Sequence, residues 1–267
     1  MLAKWVISLA RPLSFRGKHR LLSLIAPTEG GAETRVFGYQ MKVDLADFIQ
    51  RSIYLATYEP AEVATFRSLL APGMTFVDVG ANVGFFSLLA ASAVGPTGRV
   101  VAVEPSPYAV DRLREAVAAN DLQCVDVVSA GLSERDGTLP LFVPATAGNH
   151  TPTMTAAGPD TVRIDVPVTT LDRLLGERSI ERVDVLKVDV EGHEPRVFAG
   201  GEQALRAGVV RDIVCEFNEP WLREAGSSGA ALDAFLRGVG FADLTARNRV
   251  LRRGMNRHYR WVGPRRT

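Results

Sequence analysis

Phe76-Val-Asp-Val-Gly-Ala-Asn-Val-Gly-Phe-Phe-Ser87 is the stretch of sequence that decides the fold. Its first four residues are mostly β-branched or aromatic and follow Pro72-Gly73, so they predict a buried strand. Beyond Gly84, apolar residues recur at helical spacing until Gly95-Pro96, which predicts a helix. A strand that turns tightly into a helix directs backbone N–H groups and the positive helix end towards a ligand above the turn.

The residues of this turn indicate what kind of ligand it binds. It carries an acid and two glycines in the pattern Asp78-x-Gly80-x-Asn82-x-Gly84, whereas the dinucleotide fingerprint has three glycines. A carboxylate would repel a pyrophosphate but suits a positive charge, such as the amino group of S-adenosylmethionine. Glu104 ends the next apolar run, where a carboxylate accepts hydrogen bonds from both ribose hydroxyls. A tight structural turn without a ligand is the alternative interpretation.

Composition is ordinary for a globular α/β protein. The chain has 267 residues, of which 46% are hydrophobic and 23% charged. Cys124 and Cys215 both lie in apolar, strand-like runs, so we expect free thiols, a reducing compartment and a cytoplasmic location. No apolar run approaches the roughly 20 residues that span a bilayer. We expect no signal peptide, because Arg11-Pro12 interrupts the first apolar stretch.

The net charge of +1 conceals a polarised distribution. Residues 1–42 hold seven Lys or Arg against two acids, and residues 244–267 hold eight Arg and no acid. The remainder carries 16 basic and 28 acidic side chains. Basic ends could bind an anionic substrate, nucleic acid or, through the N-terminus, a membrane surface. Solvated ends that merely compensate the acidic body are the alternative.

From residue 60 onwards, strand-like runs alternate with helical patterns, which favours a parallel sheet. The runs that predict core strands are Phe76–Val79, Val100–Val103, Val125–Ser129, Val183–Val188, Val209–Phe217, Phe241–Ala246 and Tyr259–Val262. A hairpin of Thr138–Val143 and Val162–Val168 interrupts the alternation around the loop 144–160, which is either a lid or a simple hairpin tip.

We therefore divide the chain at residue 59. Residues 1–59 are expected to form an N-terminal helical and hairpin extension that caps the core. It has a basic helical lead-in over 1–26 and a strand pair at Arg35–Tyr39 and Met41–Leu45. Residues 60–267 are expected to form the cofactor-binding domain.

Four pieces of the sequence together resemble the FkbM family of S-adenosylmethionine-dependent methyltransferases. They are Pro72 to Gly84, Glu104-Pro105, Leu171-Asp172 and Lys187-Val-Asp-Val-Glu-Gly-His-Glu194. The resemblance runs from about Tyr54 to Phe241. It implies a class I methyltransferase fold, which is a Rossmann-like, doubly wound, mostly parallel sheet with an antiparallel C-terminal strand. It also implies methyl transfer, most often to a hydroxyl of a sugar or secondary metabolite.

The resemblance assigns cofactor contacts residue by residue. Glu104 would bind the ribose, and Ser133, with Gly131 and Leu132, would frame the adenine. The methionine end of the cofactor would be held by Asp78, Gly80, Asn82 and Gly84.

The catalytic candidates follow the strand Val183–Val188. Asp189, Glu191 and His193 lie at its carboxyl end, beside the cofactor according to the crevice rule for open α/β sheets. A hydroxyl acceptor must lose a proton, and Asp189 or His193 is the predicted base. Glu191 is expected to orient the acceptor or the cofactor.

A magnesium ion is a less favoured use for the same acids. Asp189, Glu191, Glu216 and Asn218 could supply oxygen ligands, but acids at strand ends commonly cap helices or bind amines. The two cysteines lack the paired spacing of a zinc site. The sequence therefore favours a cofactor site without a metal.

The predicted function is O-methylation of a hydroxyl on a sugar, glycan or secondary metabolite. Two alternatives stay open, a nucleic-acid methyltransferase and a non-catalytic binding module that kept the fold. The basic ends motivate the first, but Asp189-Val-Glu-Gly stands where base-amine methyltransferases have an Asn-Pro-Pro-Tyr type motif. The intact acids and glycines oppose the second.

Overall fold

The computed structural model describes residues 7, 9–10, 13, 17–144, 152–154, 160–248, 251 and 254–263. Part of the predicted lead-in over 1–26 and most of the loop 144–160 therefore lie outside the described residues. The helices are α1 Lys18–Ser23, α2 Phe48–Tyr54, α3 Pro60–Leu69, α4 Phe85–Val94, α5 Pro107–Ala119, α6 Leu171–Glu177, α7 Glu194–Ala199, α8 Glu202–Arg206, α9 Glu219–Glu224 and α10 Gly229–Gly238. The strands are β1 Gly31–Val36, β2 Tyr39–Asp44, β3 Thr75–Val79, β4 Arg99–Val103, β5 Val125–Val128, β6 Gly131–Leu132, β7 Gly137–Pro144, β8 Thr161–Thr169, β9 Val183–Val188, β10 Val210–Glu216, β11 Phe241–Asp243 and β12 Asn256–Trp261.

The described residues form a seven-stranded main sheet in the order β11-β12-β10-β9-β3-β4-β5. Strands β5, β4, β3, β9 and β10 pair in parallel, and β12 runs antiparallel to both of its neighbours. This arrangement confirms the predicted doubly wound sheet of a class I methyltransferase. The chain leaves β3 towards β4 and later returns to β9 on the other side of β3. The crevice beyond the carboxyl ends of β3 and β9 is therefore the topological switch point where such folds bind ligands.

The last strand was predicted too short and too late. It begins at Asn256 rather than Tyr259, because the pairing with β10 already includes Asn256 opposite Glu216. Two arginines of the basic C-terminal segment take part in this packing. The Arg260 guanidinium lies 2.8 Å from Asp212 Oδ1, and that of Arg257 lies 4.3 Å from the centre of the Phe217 ring.

The N-terminal strand pair is confirmed as a hairpin, but the predicted bounds were wrong. Strand β1 begins at Gly31, and the turn falls at Phe37-Gly38, inside the stretch predicted as a strand. Both turn residues have positive φ, +53° and +95°, which is the backbone geometry of a tight two-residue hairpin turn.

The described part of the extension shares a hydrophobic core with the main domain. Met41 and Val43 of β2 and Ile53 of α2 belong to the same buried cluster as Phe86 and Leu88 of α4. The opposite face of the sheet is covered by a second cluster that includes residues of α6, α7, α9 and α10. The division at residue 59 remains a prediction.

The predicted hairpin around the loop 144–160 is also present. Strands β7 and β8 pair antiparallel and, with β6, form a separate sheet within the described residues. Thr153, in the described part of the loop, exchanges backbone hydrogen bonds with Phe142 of β7. No helix in the described part of the chain is long and apolar enough to cross a membrane.

Candidate active site

A cavity opens at the carboxyl ends of β3, β4 and β9, which is the predicted switch point. Its described lining includes the turn residues 80–83, Glu104 after β4, and Asp189, Glu191 and His193 after β9. The structure thus brings together the predicted ribose-binding acid, the glycine turn and all three catalytic candidates.

Gly80 allows the turns after β3 and β9 to touch. Its φ is +77°, and a Cβ atom built on it would lie 1.9 Å from the backbone oxygen of Asp189. A contact this short leaves no room for any side chain. Gly84 is the N-cap residue of α4 with φ +90°, so both motif glycines have left-handed backbone geometry.

Asn82 and Glu104 are hydrogen-bonded through the backbone of the turn. Asn82 has φ +49°, and its side-chain oxygen accepts from the Val83 N–H at 2.7 Å, a local bond that suits asparagine to this geometry. Glu104 Oε2 accepts from the Asn82 N–H at 2.8 Å, and Oε1 accepts from the Ser106 N–H at 2.9 Å. Burial raises the pKa of Glu104 to about 7. Each oxygen keeps a lone pair for a ligand.

Asp78 is paired with neighbouring side chains inside the protein. Its side chain is fully buried, Oδ2 accepts from Ser87 Oγ at 2.7 Å, and Oδ1 lies 3.3 Å from Lys187 Nζ. Asp78 is not among the described residues that line the cavity. The structure therefore pairs Asp78 with a lysine of β9, and a contact with the methionine end of the cofactor stays a prediction.

Lys187 is the site residue that the sequence reasoning missed. Its Nζ donates to the Gly80 carbonyl at 3.2 Å and lies 3.5 Å from Asp189 Oδ2. Burial lowers the pKa of Lys187, but the carboxylates of Asp78 and Asp189 outweigh it, so the net shift is upwards. The sequence carried a signal, since Lys187 stands within the run Val183–Val188, which predicts a core strand, and lysines are rarely buried without a partner.

Asp189 and Glu191 differ in exposure and environment. The Asp189 side chain is 33% exposed, and its backbone N–H donates to the Val79 carbonyl. Glu191 has φ +51°, and burial, then the nearby Asp189 carboxylate, raise its pKa to about 7. Glu194, the last acid of the motif, is buried and accepts from the backbone N–H groups of Val190 and Gly192, so it closes this turn.

His193 is buried beside Ser133. Its Nε2 lies 3.1 Å from Ser133 Oγ, which donates to Glu134 Oε2 at 2.7 Å. Burial, followed by the charge of Arg196, lowers the pKa of His193 to about 4, so the imidazole is neutral at pH 7. Ser133 itself is outside the described lining of the cavity, which at this point is formed by Gly131 and Leu132.

A model of the methyltransferase FkbM domain matches residues 78–242, which is more than half of the chain. The chain belongs to the FkbM methyltransferase family. The matched segment begins at Asp78, the next-to-last residue of β3, and reaches β11, so it includes every predicted cofactor and catalytic residue.

Three relatives illustrate the family. Methyltransferase sdnD of Sordaria araneosa is 35% identical over 173 residues, covering 54% of this chain and 66% of that protein. The 31-O-demethyl-FK506 methyltransferase FkbM of Streptomyces tacrolimicus is 34% identical over 198 residues, covering 64% of this chain and 74% of that protein. The hexuronic acid methyltransferase AglP of Haloferax volcanii is 30% identical over 130 residues, covering 49% and 51%. The chain thus spans about two thirds of the first relative and about half of the third.

A second cavity of about 320 Å³ lies beside the first and partly outside the segment matched by the FkbM model. Phe86, Lys187 and Asp189 line both cavities. The rest of its described lining is Glu59, Glu62, Phe66, Glu216, Gly254, Met255 and Asn256.

Two acids of the second cavity, Glu59 and Glu216, have raised pKa values. Burial, then the neighbouring Glu62, raise the pKa of Glu59 to about 8, and burial, then Asp189, raise that of Glu216 to about 9. Glu62 Oε1 accepts from Asn256 Nδ2 at 3.1 Å. Two carboxyl groups of this cavity are therefore largely protonated at pH 7.

The four residues of the magnesium alternative do not converge. Asp189 and Glu216 line the second cavity, Glu191 lines the first, and Asn218 is the N-cap residue of α9 and lines neither. Among the described residues, no group of three or more His, Cys, Asp or Glu side chains is arranged to hold a metal ion.

The described part of the loop 144–160 lies over the first cavity. Pro152 and Met154 line it, and Thr153 Oγ1 donates to the Glu191 carbonyl at 3.4 Å. The lid and hairpin-tip interpretations of the whole loop both stay predictions.

Proposed function

We propose that this chain transfers a methyl group from S-adenosylmethionine to a hydroxyl of a small molecule or glycan. The observation that carries the proposal is the position of Asp189, which lines both the first cavity and the second. A carboxylate at that boundary can receive a proton from an acceptor in one cavity while the donor occupies the other.

The residues that line the first cavity fit S-adenosylmethionine. Glu104 would hold the ribose, because each of its oxygens accepts one backbone N–H and keeps a lone pair. Val103, Leu132 and Met154 give the cavity apolar walls that suit an adenine ring. When bound, this cofactor supplies an electrophilic sulfonium methyl group.

The protein's own contributions are alignment and proton removal. Fixing the acceptor in line with the donor can supply roughly 7–11 kcal/mol of the barrier. A positioned base adds about 10²–10⁴-fold. Asp189 suits this role better than His193, because His193 is buried against Ser133 and the described lining of the second cavity does not include it. Glu191, in the first cavity, would contact the cofactor.

The second cavity favours a small neutral acceptor over nucleic acid. A phosphate group would meet four carboxyl groups and an ammonium group already paired with Asp78 and Asp189. Arg257 and Arg260 of the basic C-terminal segment are engaged in packing. The name of one relative specifies 31-O-demethyl-FK506 as its substrate and that of another a hexuronic acid, which supports a metabolite or sugar as the acceptor.

The decisive experiment has a binding arm and a product arm. S-adenosylhomocysteine should raise the melting temperature whereas NAD should not. Labelled S-adenosylmethionine, incubated with neutral glycans, metabolites and RNA, should yield labelled product with a hydroxyl compound. Stabilisation by NAD alone, or labelling of RNA alone, would refute the proposal.

Asp189→Asn tests the assignment of the base. The amide cannot take the proton, so turnover should fall by about 10²–10⁴-fold. Binding of S-adenosylhomocysteine should change little, since the substitution keeps the shape of the side chain. Equal loss of binding and turnover would instead assign Asp189 to the cofactor pocket. Asp165→Asn, on the exposed face of β8, is the matched control.

The two cysteines are free, as predicted, although Cys124 is only half-buried. Free thiols fit a reducing, cytoplasmic location, which together with membrane contact through the N-terminus remains a prediction.

A further inference from the structure

We infer that Lys187, held by Asp78, is a positioning residue whose ammonium group fixes the Asp189 carboxylate at the boundary between the two cavities. The inference rests on the proposed function, in which Asp189 is the base. It gives the motif acid Asp78 a role through Lys187 rather than through direct contact with the cofactor.

The sheet places these groups together. Asp78 and Lys187 are paired neighbours in the parallel strands β3 and β9, and Asp189 follows Lys187 by two residues. Alternate residues of a strand point to the same face, and Asp189, the first residue after β9, is two residues beyond Lys187, so both side chains lie on the same side. The Lys187 side chain is 6% exposed and that of Asp78 is fully buried.

Three oxygen atoms surround the ammonium group. Nζ lies 3.2 Å from the Gly80 carbonyl oxygen, 3.3 Å from Asp78 Oδ1 and 3.5 Å from Asp189 Oδ2. The Asp78 contact is a charge pair rather than a well-directed hydrogen bond, since Oδ1 has no hydrogen-bond partner among the described residues. The Phe86 ring, with its centre 5.4 Å from Nζ, covers another side. An ammonium group with three N–H bonds and these neighbours is suited to hold protein groups rather than substrate.

The contact with Gly80 extends this role to the cofactor turn. Through one ammonium group, Lys187 joins the glycine turn after β3 to the carboxylate after β9. Lys187 thereby fixes the glycine turn that would hold the methyl donor relative to the base Asp189. An in-line displacement requires such an alignment of the reacting groups. The raised pKa of Lys187 keeps it charged, so it is the anchor and not the base.

Asp189 needs a cation nearby because acids surround it. The groups facing it are Tyr58 and Glu59 before α3, Asp78 on β3, Glu191 and Glu194 after β9, and Cys215 and Glu216 on β10. Each acid among them, when ionised, repels the Asp189 carboxylate. Lys187, with Nζ 3.5 Å from Asp189 Oδ2, supplies the opposing positive charge.

Lys187→Met tests the inference, and Lys187→Arg is the charge-conserving comparison. In Lys187→Met the acidic limb of the kcat/KM profile should move upwards by about one pH unit, and kcat at pH 7 should fall at least tenfold. Lys187→Arg should restore part of kcat at pH 7 and move the acidic limb part of the way back. Affinity for S-adenosylhomocysteine should change less than about threefold. A loss of activity that only follows the folded fraction, with an unmoved pH profile, would overturn the inference.

The double variant Asp78→Asn/Lys187→Met covers the case in which Lys187→Met does not fold. Removing one member of a buried pair leaves an uncompensated charge, whereas removing both does not. We expect the double variant to recover folding but to keep the displaced acidic limb. If the double variant recovered both folding and the pH profile of the parent, Lys187 would serve only the stability of the sheet.

A readout independent of turnover separates this inference from the proposed function. Carboxyl ¹³C titration, with Asp189→Asn to identify the signal, should show the Asp189 midpoint moving upwards in Lys187→Met. A shifted midpoint in a protein that methylates no acceptor would sustain the positioning role and refute the function. If the parent protein forms a methylated product but Lys187→Met leaves both the Asp189 midpoint and the pH profile unshifted, the proposed function would stand and the positioning role would be refuted.

Discussion

The substitution Glu104→Gln tests whether Glu104 binds the cofactor or only stabilises the turn. Glu104 accepts a backbone N–H on each oxygen, at 2.8 and 2.9 Å, and is almost completely buried. Glutamine preserves the shape but offers one acceptor oxygen and one amide nitrogen. One of the two N–H groups, from Asn82 or Ser106, must therefore lose its acceptor.

The expected effects on stability and on affinity can be calculated separately. A buried donor left unsatisfied costs about 1–3 kcal/mol, which for a domain of this size lowers the melting temperature by roughly 2–4 °C per kcal/mol. A charge-assisted hydrogen bond to a ribose hydroxyl is worth roughly 1.5–3 kcal/mol, so affinity for the cofactor should fall by about one to two decades.

The assay is calorimetric titration with S-adenosylhomocysteine at pH 8, where the carboxyl group is mostly ionised because its pKa is about 7. Glu202→Gln, an exposed glutamate paired with Arg206, is the control and should change neither quantity. If Glu104→Gln lost stability but bound S-adenosylhomocysteine within twofold of the parent, Glu104 would be a structural tie of the turn only.

Two further predictions test the glycine turn and the acidic cavity. Gly80→Ala should destabilise far more than Gly226→Ala, because both glycines have φ +77° but only at Gly80 does a new Cβ meet a backbone atom, at 1.9 Å. The positive φ costs each alanine variant about 1–2 kcal/mol of unfolding free energy. If denaturant unfolding gave equal losses for the two variants, the close approach of Gly80 to the Asp189 backbone would be contradicted. Burial, then Asp189, raise the pKa of Glu216 to about 9 in the folded chain, so its stabilising contribution is complete below about pH 4.5 and is lost as pH rises through 9. Glu216→Gln should therefore flatten the decline of unfolding free energy between pH 6 and 8, and a slope equal to that of the parent would refute the shift.

The sheet was predictable because its central strands are buried on both faces. The run Val100–Val103 is continuously apolar, four of the six residues in Val183–Val188 are apolar, and the alternation of such runs with helical patterns favours a parallel, doubly wound arrangement. The errors fell where local geometry is decided by few residues. At Phe37-Gly38 two positive φ angles place a turn within a run that otherwise reads as a strand.

The partner of Asp78 could not be derived from the sequence. Whether an acid at a strand end faces a ligand or pairs within the sheet depends on the register of β3 against β9, which joins residues far apart in the chain. The second cavity is unpredictable for the same reason, since Glu59, Glu216 and Asn256 come from three separate segments. What the sequence did offer was a lysine within a buried strand, and its position two residues before Asp189 is the clue to its role.

The protonation states of the second cavity bear on the kind of acceptor it can hold. Four carboxyl groups suggest a site for a cation, but Glu59 and Glu216, with pKa values of about 8 and 9, are mostly neutral at pH 7. A neutral carboxyl group both donates and accepts hydrogen bonds. At that pH Glu59 and Glu216 therefore offer the cavity hydrogen-bond donors as well as acceptors. That chemistry matches the hydroxyl groups of a sugar or polyol more closely than an ammonium or a phosphate group.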